Sequence, residues 1–350
     1  MANRSPHFTA FGAAVLFGLS TPLAKMLLRD ISPLALAGCL YLGAFSGLVL
    51  FEAGRRLLAR SASAAAALTS RDLPWLFGAV IAGGVIGPAA LLFGLDRLQG
   101  VTASLLLNLE APATAILAVL LFREQAGRRL WIALSAMTGA GVFLSWNPAS
   151  GSFAWSGALL ILAAMTAWGL DNNLTRVISG KDAVRIAQIK GLVAGTFAWA
   201  AALALGQRIP SGPMLVYGLA LGAAGYGLSL VLYIRALAGL GAFRAGAVFS
   251  AAPFVGALAS LAILGDRPSW TMGLGALLML FGAWSILGER HAHPHRHPRV
   301  VHTHRHRHDN GHHDHDHEAP AAESHSHGHV HEEGGHSHGH WPDLHHRHGH

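Results

Sequence analysis

One apolar stretch of 21 residues, Thr102 to Phe122, carries Asn108, Glu110 and Pro112 at its middle. As a helix it would measure about 31 Å, the thickness of a bilayer's hydrocarbon core. An ionisable side chain at that depth costs at least ~2.5 kcal/mol, so it belongs in a bundle interior or beside a water-filled cavity. Pro112 has no N–H, which leaves the Asn108 carbonyl without its helical donor. Carboxylate, amide and freed carbonyl are thus gathered within about one turn, where a polar solute could use them. The alternative is a packing kink around a protonated or paired Glu110. Such a helix fits a transporter better than an anchor.

The rest of the chain agrees. Only 12% of its 350 residues are charged, 52% are hydrophobic, and the mean hydropathy is +0.40. A soluble domain carries roughly 25% charge, so this is an integral membrane protein. The sequence pI near 10.3 does not point to nucleic acid, because the basic residues cluster at the ends of apolar runs. The single cysteine, Cys39, lies inside an apolar run and has no disulfide partner. No catalytic Ser/His/Asp set and no glycine-rich phosphate loop after a strand is present, and no apolar run contains histidine. An enzyme is therefore not expected.

Ten apolar segments are each long enough to span: 8–28, 33–52, 73–94, 102–122, 129–146, 157–179, 184–206, 213–234, 243–264 and 269–288. The first follows a short basic start with Arg4, exceeds a signal-peptide core and reads as an uncleaved span. The 42 glycines suit close helix contacts in lipid. With the N-terminus cytoplasmic, the inside segments hold Lys and Arg over the outside ones by three to one. That bias places both ends of the chain in the cytoplasm.

The chain also repeats itself. Phe17-Gly18-Leu19-Ser20-Thr21-Pro22-Leu23-Ala24-Lys25 lines up with Trp168-Gly169-Leu170-Asp171-Asn172-Asn173-Leu174-Thr175-Arg176. Pro112 with Glu124 lines up with Pro253 with Asp266, one residue longer. Five spans per copy is an odd number, so the second copy must enter from the opposite side. Inverted repeats are a construction of secondary transporters, with the site at the repeat interface near mid-membrane. The expected fold is all-α: ten transmembrane helices as two inverted five-helix repeats, residues 1–147 and 148–290, followed by a disordered tail, 291–350.

On these residues the chain resembles the EamA family of the drug/metabolite transporter superfamily, over about residues 8–288. The resemblance implies a ten-helix bundle with a central cavity open to each side in turn. It further implies proton-linked or gradient-driven movement of small metabolites, often outward, across the inner (plasma) membrane. The second copy departs from the first in having Asn173 where the first has Pro22, so its first span should kink less.

Candidate substrate-binding residues are Glu110, Asn108, Trp168, Asp171, Asn172, Asn173 and Lys25. Trp168 lies one turn before Asp171 and Asn172, so one face could offer an aromatic wall and polar groups. Asp171 either joins the site or pairs with Arg176. Lys25 and Arg176, equivalent in the two copies, either line the path or snorkel to headgroups. Tyr226, Tyr233, Phe249 and Ser250 either line a cavity or pack. Pro22, Pro88, Pro112 and Pro253 are candidate hinges; the first, second and fourth would free the carbonyls of Gly18, Gly84 and Phe249.

From His291 onward the character changes: 23 of the 24 histidines lie here. Apolar residues are too scarce for a core, which predicts disorder. His302, His304, His306, His308, His312, His313, His315, His317, His336, His338 and His340, with nearby Asp and Glu, are ligands for zinc, nickel, cobalt or copper ions. No cofactor is required by this reading. A rival reading follows, divalent metal efflux with the tail as collector or sensor. Against it, the membrane segments offer mainly oxygen ligands. A third reading makes the bundle a mere anchor for a sensor tail, which explains neither Glu110 nor the repeat. The expected partners are a small-molecule substrate and lipid, in a monomer or homodimer.

Overall fold

The computed structural model describes residues 5–57, 68–122, 128–147, 151–178, 181–236 and 248–287, with 291–297, 300–306, 325–331 and 334–340. They fall in two units, Met1–Gly288 and Glu289–His350.

The first unit is helical. Its helices are α1 (Ser5–Leu27), α2 (Pro33–Leu57), α3 (Ser70–Arg97), α4 (100–122), α5 (Arg128–Ser145), α6 (Trp155–Val177), α7 (Ala183–Ala204), α8 (Gly212–Ala236), α9 (Ala252–Ile263) and α10 (Trp270–Leu287). Six of the helical runs among the described residues are long and apolar enough to cross a membrane, and three shorter apolar ones accompany them. Their starts and stops follow local chemistry. The Asp182 carboxylate accepts the N–H groups of Val184 and Arg185 at the start of α7. Gly206 and Gly265, at φ +71° and +69°, take the left-handed conformation that stops α7 and α9. Large apolar side chains such as Leu50, Phe77, Leu120 and Trp284 are exposed, an outer surface suited to lipid. Between α5 and α6 a short hairpin, β1 (Trp146–Asn147) with β2 (Ser152–Phe153), closes on an aromatic clasp: Trp146–Phe153 at 4.8 Å and Phe153–Trp155 at 4.6 Å.

Glycines set how closely the helices cross. A β-carbon on Gly43 of α2 would overlap the Leu219 carbonyl of α8, and one on Gly222 of α8 would overlap the Leu40 carbonyl of α2. Gly18 of α1 meets the Ala252 carbonyl of α9, and Gly169 of α6 meets the backbone of Thr114 in α4. Lipid gives no hydrophobic drive between helices, so such close backbone contact is what holds them together.

Three helices are not continuous α-helix, and the breaks fall beside the site. The stretch opened above is in three pieces: Gly100–Leu106, a 3-10 turn Leu107–Leu109, and Glu110–Phe122. Pro112 explains this, since the tightened turn re-satisfies groups its missing N–H would leave open. Helix α3 contains a π-helical turn at Val80–Ile86 and α8 contains another at Gly222–Leu228. Each is seven residues long in the third helix of its half.

Pro22 lies inside α1, where its absent N–H leaves the Gly18 carbonyl without its helical donor. Pro253 sits in the first turn of α9, which restarts at Ala252 after a turn at residues 250 and 251 that follows helical residues 248 and 249. Pro88 does not free Gly84. The N–H of Gly87 reaches the Ala82 carbonyl five residues back, and in that register the donor missing at Pro88 would have served Gly83. Residues 243–247, given to the ninth span, and Glu124 lie outside the described residues.

In the second unit, β3 (His291–His297) pairs antiparallel with β6 (Gly334–His340), and β4 (Val300–His306) with β5 (His325–His331). The expectation was a disordered tail. It rested on the lack of apolar residues and overlooked strict alternation, a period-two pattern that lets a backbone pair as strands. An isolated two-stranded ladder is nonetheless marginal in water. Of the candidate metal-ligating histidines, His308, His312, His313, His315 and His317 lie outside the described residues.

Candidate functional site

The polar residues of α6 diverge to two neighbouring helices. Asn172 donates through Nδ2 to Glu110 Oε1 of α4 at 2.8 Å and to Thr114 Oγ1 at 3.2 Å. Asn173 is buried and donates to the backbone carbonyls of Thr114, 3.0 Å, and Gly169, 2.8 Å, so it ties α6 to α4. Asp171, also buried, is bound by Lys190 of α7, with Nζ–Oδ1 2.6 Å and Oδ2 in contact too, and by Thr175 Oγ1 at 2.8 Å. Asn172 is exposed and Glu110 partly so, which leaves that carboxylate reachable where Asp171 is sealed. The charged neighbours that bear on Glu110 among the described residues are Asp171 and Lys190.

Trp168 closes the wall one turn earlier. Its Nε1 donates to the Gly83 carbonyl at 3.0 Å, and Tyr41 Oη of α2 donates to the same oxygen at 2.7 Å. That oxygen is the one stripped of its helical donor by Pro88 in the π register. A backbone break in α3 thus fixes two aromatic rings from two other helices. Gly83 must be glycine, because a β-carbon there would overlap the Asp171 carboxylate.

The rings form a group. Phe17 of α1 lies 6.5 Å from Trp168, 5.8 Å from Tyr226 and 5.5 Å from Phe249, centroid to centroid. Tyr41 is 6.0 Å from Tyr226, and Tyr233 is 4.7 Å from Phe249. Phe17, Tyr41, Tyr226, Tyr233 and Phe249 are each only half-buried, although they come from helical segments spread across both halves. Tyr41 and Tyr233 lie within electrostatic reach of Glu110.

Of the residues proposed from sequence, Glu110 and Asn172 meet, and Trp168, Asp171 and Asn173 adjoin them. Asn108 does not join: its amide turns back onto the Leu105 carbonyl at 3.1 Å. Lys25 stands elsewhere, donating to the Leu95 carbonyl at 2.7 Å near Asp266 and Asp96, where Asp266 accepts the Val101 N–H at 2.9 Å. The partner offered for Asp171 was Arg176, whose side chain is not among those described; the bond is to Lys190. Lys190, Gly83, Thr114, Phe17 and Tyr41 were missed as site residues. Lys190 had a signal: it lies well inside the apolar run 184–206. Gly83-Gly84 ahead of Pro88 was another.

A helical unit with several apolar helices long enough to cross a membrane defines a multi-pass membrane protein, and the carboxylate, amides and aromatic rings described above are its candidate solute site. The model of the EamA-like transporter family matches residues 4–146 and again 155–288, and the chain belongs to that family. An uncharacterized transporter of Methanothermobacter thermautotrophicus is 28% identical over 291 residues, spanning 79% of this chain and 84% of its own length. A solved crystal structure superposes with a TM-score of 0.58 at 17% identity over 81% of this chain and 95% of its own, which shows the fold alone. The protein is a membrane transporter and not an enzyme.

Proposed function

We propose that the chain is an exporter of small polar or cationic metabolites across the inner (plasma) membrane, exchanging them for protons at Glu110. In this reading two inverted five-helix halves, 1–147 and 148–290, rock about the site, with both termini cytoplasmic. The observation that carries it is the Glu110 carboxylate, which accepts a hydrogen bond from Asn172 and is left partly open. Matching features support the inverted halves: the family matches twice, a π turn interrupts α3 and α8 at 80–86 and 222–228, and Pro112 and Pro253 each stand in the first turn of a restarted helix. The groups that face Glu110 and bear on its proton are Asp171 of α6, Lys190 of α7, Tyr41 of α2 and Tyr233 of α8.

The test starts from a growth screen of overproducing cells against amino acids, organic amines and metals. The solute found is then followed in proteoliposomes across a pH series, for wild type and Glu110→Gln. Wild type should accumulate solute against its gradient when a proton gradient is applied, and Glu110→Gln should lose both accumulation and pH dependence. A Glu110→Gln variant with unchanged pH dependence would rule out this coupling.

One observation keeps divalent metal efflux as the second reading. The tail ladders place histidine opposite histidine: His302 with His329, His304 with His327, His336 with His295, His338 with His293 and His340 with His291; His306 faces His325. Zinc, nickel, cobalt and copper ions take imidazole ligands. Lost Ni²⁺ or Zn²⁺ tolerance on removal of 291–350, with organic solute transport unmoved, would favour a metal role for the tail.

A further inference from the structure

We infer that the second unit is a metal-folded element: in each ladder two neighbouring cross-strand histidine pairs, such as His293 with His338 and His295 with His336, take one borderline divalent ion of the zinc type, and that ion closes the ladder. This goes beyond both transport readings, since it holds whatever the helical unit carries. The register of the strands and the make-up of their two faces carry it.

Alternate residues of a strand share one face of a ladder. On one face of β3 and β6 seven of the eight positions are histidine, and Gly334 is the eighth. On one face of β4 and β5 seven of the eight are again histidine, and Val300 is the eighth. The opposite faces hold none, only residues such as Ala292, Pro294, Thr303 and Gly328. Alternation within a strand is visible in the sequence; which strands pair, and in which register, is not. A slip of one residue would set the histidines of the two strands on opposite faces. Both ladders take the other parity, with histidine facing histidine three times in each.

Facing positions of an antiparallel ladder have β-carbons about 5 Å apart, and the next pair on the same face follows about 7 Å along the strand. Two neighbouring pairs therefore bring four histidine positions to one patch, the ligand number of a closed zinc site. Imidazole nitrogen suits zinc, nickel, cobalt and copper ions, whereas magnesium prefers oxygen. The strands have little else to hold them. A two-stranded ladder is marginal in water. In β3 and β6 the only apolar residues besides glycine are Ala292 and Pro294, and in β4 and β5 they are Val300, Val301 and Val330. An ion shared between strands supplies the missing cross-link. Its ligands come together only in the closed register, so binding and closure are one event.

The experiment uses the full chain in detergent, stripped with a chelator and then equilibrated with Zn²⁺ or, for comparison, Mg²⁺. Tightly bound zinc is counted, and backbone amide exchange is followed by mass spectrometry. Zn²⁺ should bind at about two ions per chain, one for each ladder. It should slow exchange in all four strands by about 100-fold when free zinc is about 100 times its Kd. Mg²⁺ should do neither. His293→Ala with His295→Ala should remove one ion and the protection of β3 and β6, although every histidine of β6 is kept. The ladder of β4 and β5, which lies between them in sequence, should keep its ion, and unchanged exchange in the helical unit verifies that the variant is folded. His312→Ala with His313→Ala removes as many imidazoles outside the strands and should alter neither ladder. Zinc bound without slowed exchange, or equal losses from the two double substitutions, would overturn the inference in favour of binding by histidine density alone. Strands protected equally well without metal would overturn it too, since the ladders would then close unaided.

Discussion

Replacing Lys190 by Met is expected to destabilise the helical unit by about 3–5 kcal/mol, because it strands the buried Asp171 carboxylate without a cation. Thr175 would still donate at 2.8 Å, but one neutral hydroxyl does not replace an ammonium that contacts both oxygens. The loss should be largely reversed by adding Asp171→Asn, which removes the charge and keeps a polar group for Thr175. Thermal unfolding of the purified variants in one detergent reads this directly. Destabilisation by Lys190→Met that Asp171→Asn leaves uncorrected would mean that Lys190 acts through packing alone. The pair fixes α6 to α7 immediately beside Asn172, so a slack pair should also loosen the hold on Glu110.

The second large effect is steric. Gly222→Ala should cost about 3 kcal/mol or more, since the added carbon meets the backbone carbonyl of Leu40, which has no side-chain rotation to escape with. Gly43 faces Leu219 in the reciprocal sense, so α2 and α8 touch backbone to backbone at two points. Gly139→Ala is the control: nothing lies within 4 Å of its β-position in α5. That change should be neutral or should stabilise by about 0.5–1 kcal/mol, as glycine to alanine does in an open helix interior. Equal effects at positions 222 and 139 would refute the close crossing. The crossing joins the second helix of the unit to the eighth.

Much of this architecture was legible in the sequence for one physical reason. In lipid every backbone group must be bonded within its own helix, so apolar length translates directly into helices, and Glu110 among leucines stands out as an ionisable group that needs a partner. The contact between Glu110 and Asn172 brings together two residues singled out separately. What stayed hidden depends on register between helices. Nothing local says that Asp171 meets Lys190 of the next helix and not Arg176 on its own. Nothing local says that Asn108 turns back onto Leu105. The π turn in α3 was invisible because glycine, alanine, valine and isoleucine fit α or π geometry equally well, and the hydrogen bonds that Trp168 and Tyr41 donate to the Gly83 carbonyl come from other helices. The aromatic group was legible only in part: Trp168, Tyr226, Tyr233 and Phe249 stood as candidates, whereas Phe17 and Tyr41 lie far from them in sequence and each alone resembles packing. In the tail, composition and alternation pointed in opposite directions, and composition alone was weighed.

The central claim is that Glu110 sits in a path that opens to each face of the membrane in turn, and the chain's single cysteine makes this measurable. Cys39 is buried, so Cys39→Ser with Asn172→Cys gives one reactive thiol within a hydrogen bond's length of the Glu110 position. In sealed proteoliposomes of known orientation, a membrane-impermeant maleimide applied outside or trapped inside should label position 172 from both faces. Prior binding of the transported solute should slow both reactions. Labelling from one face alone, or from neither, would contradict the account.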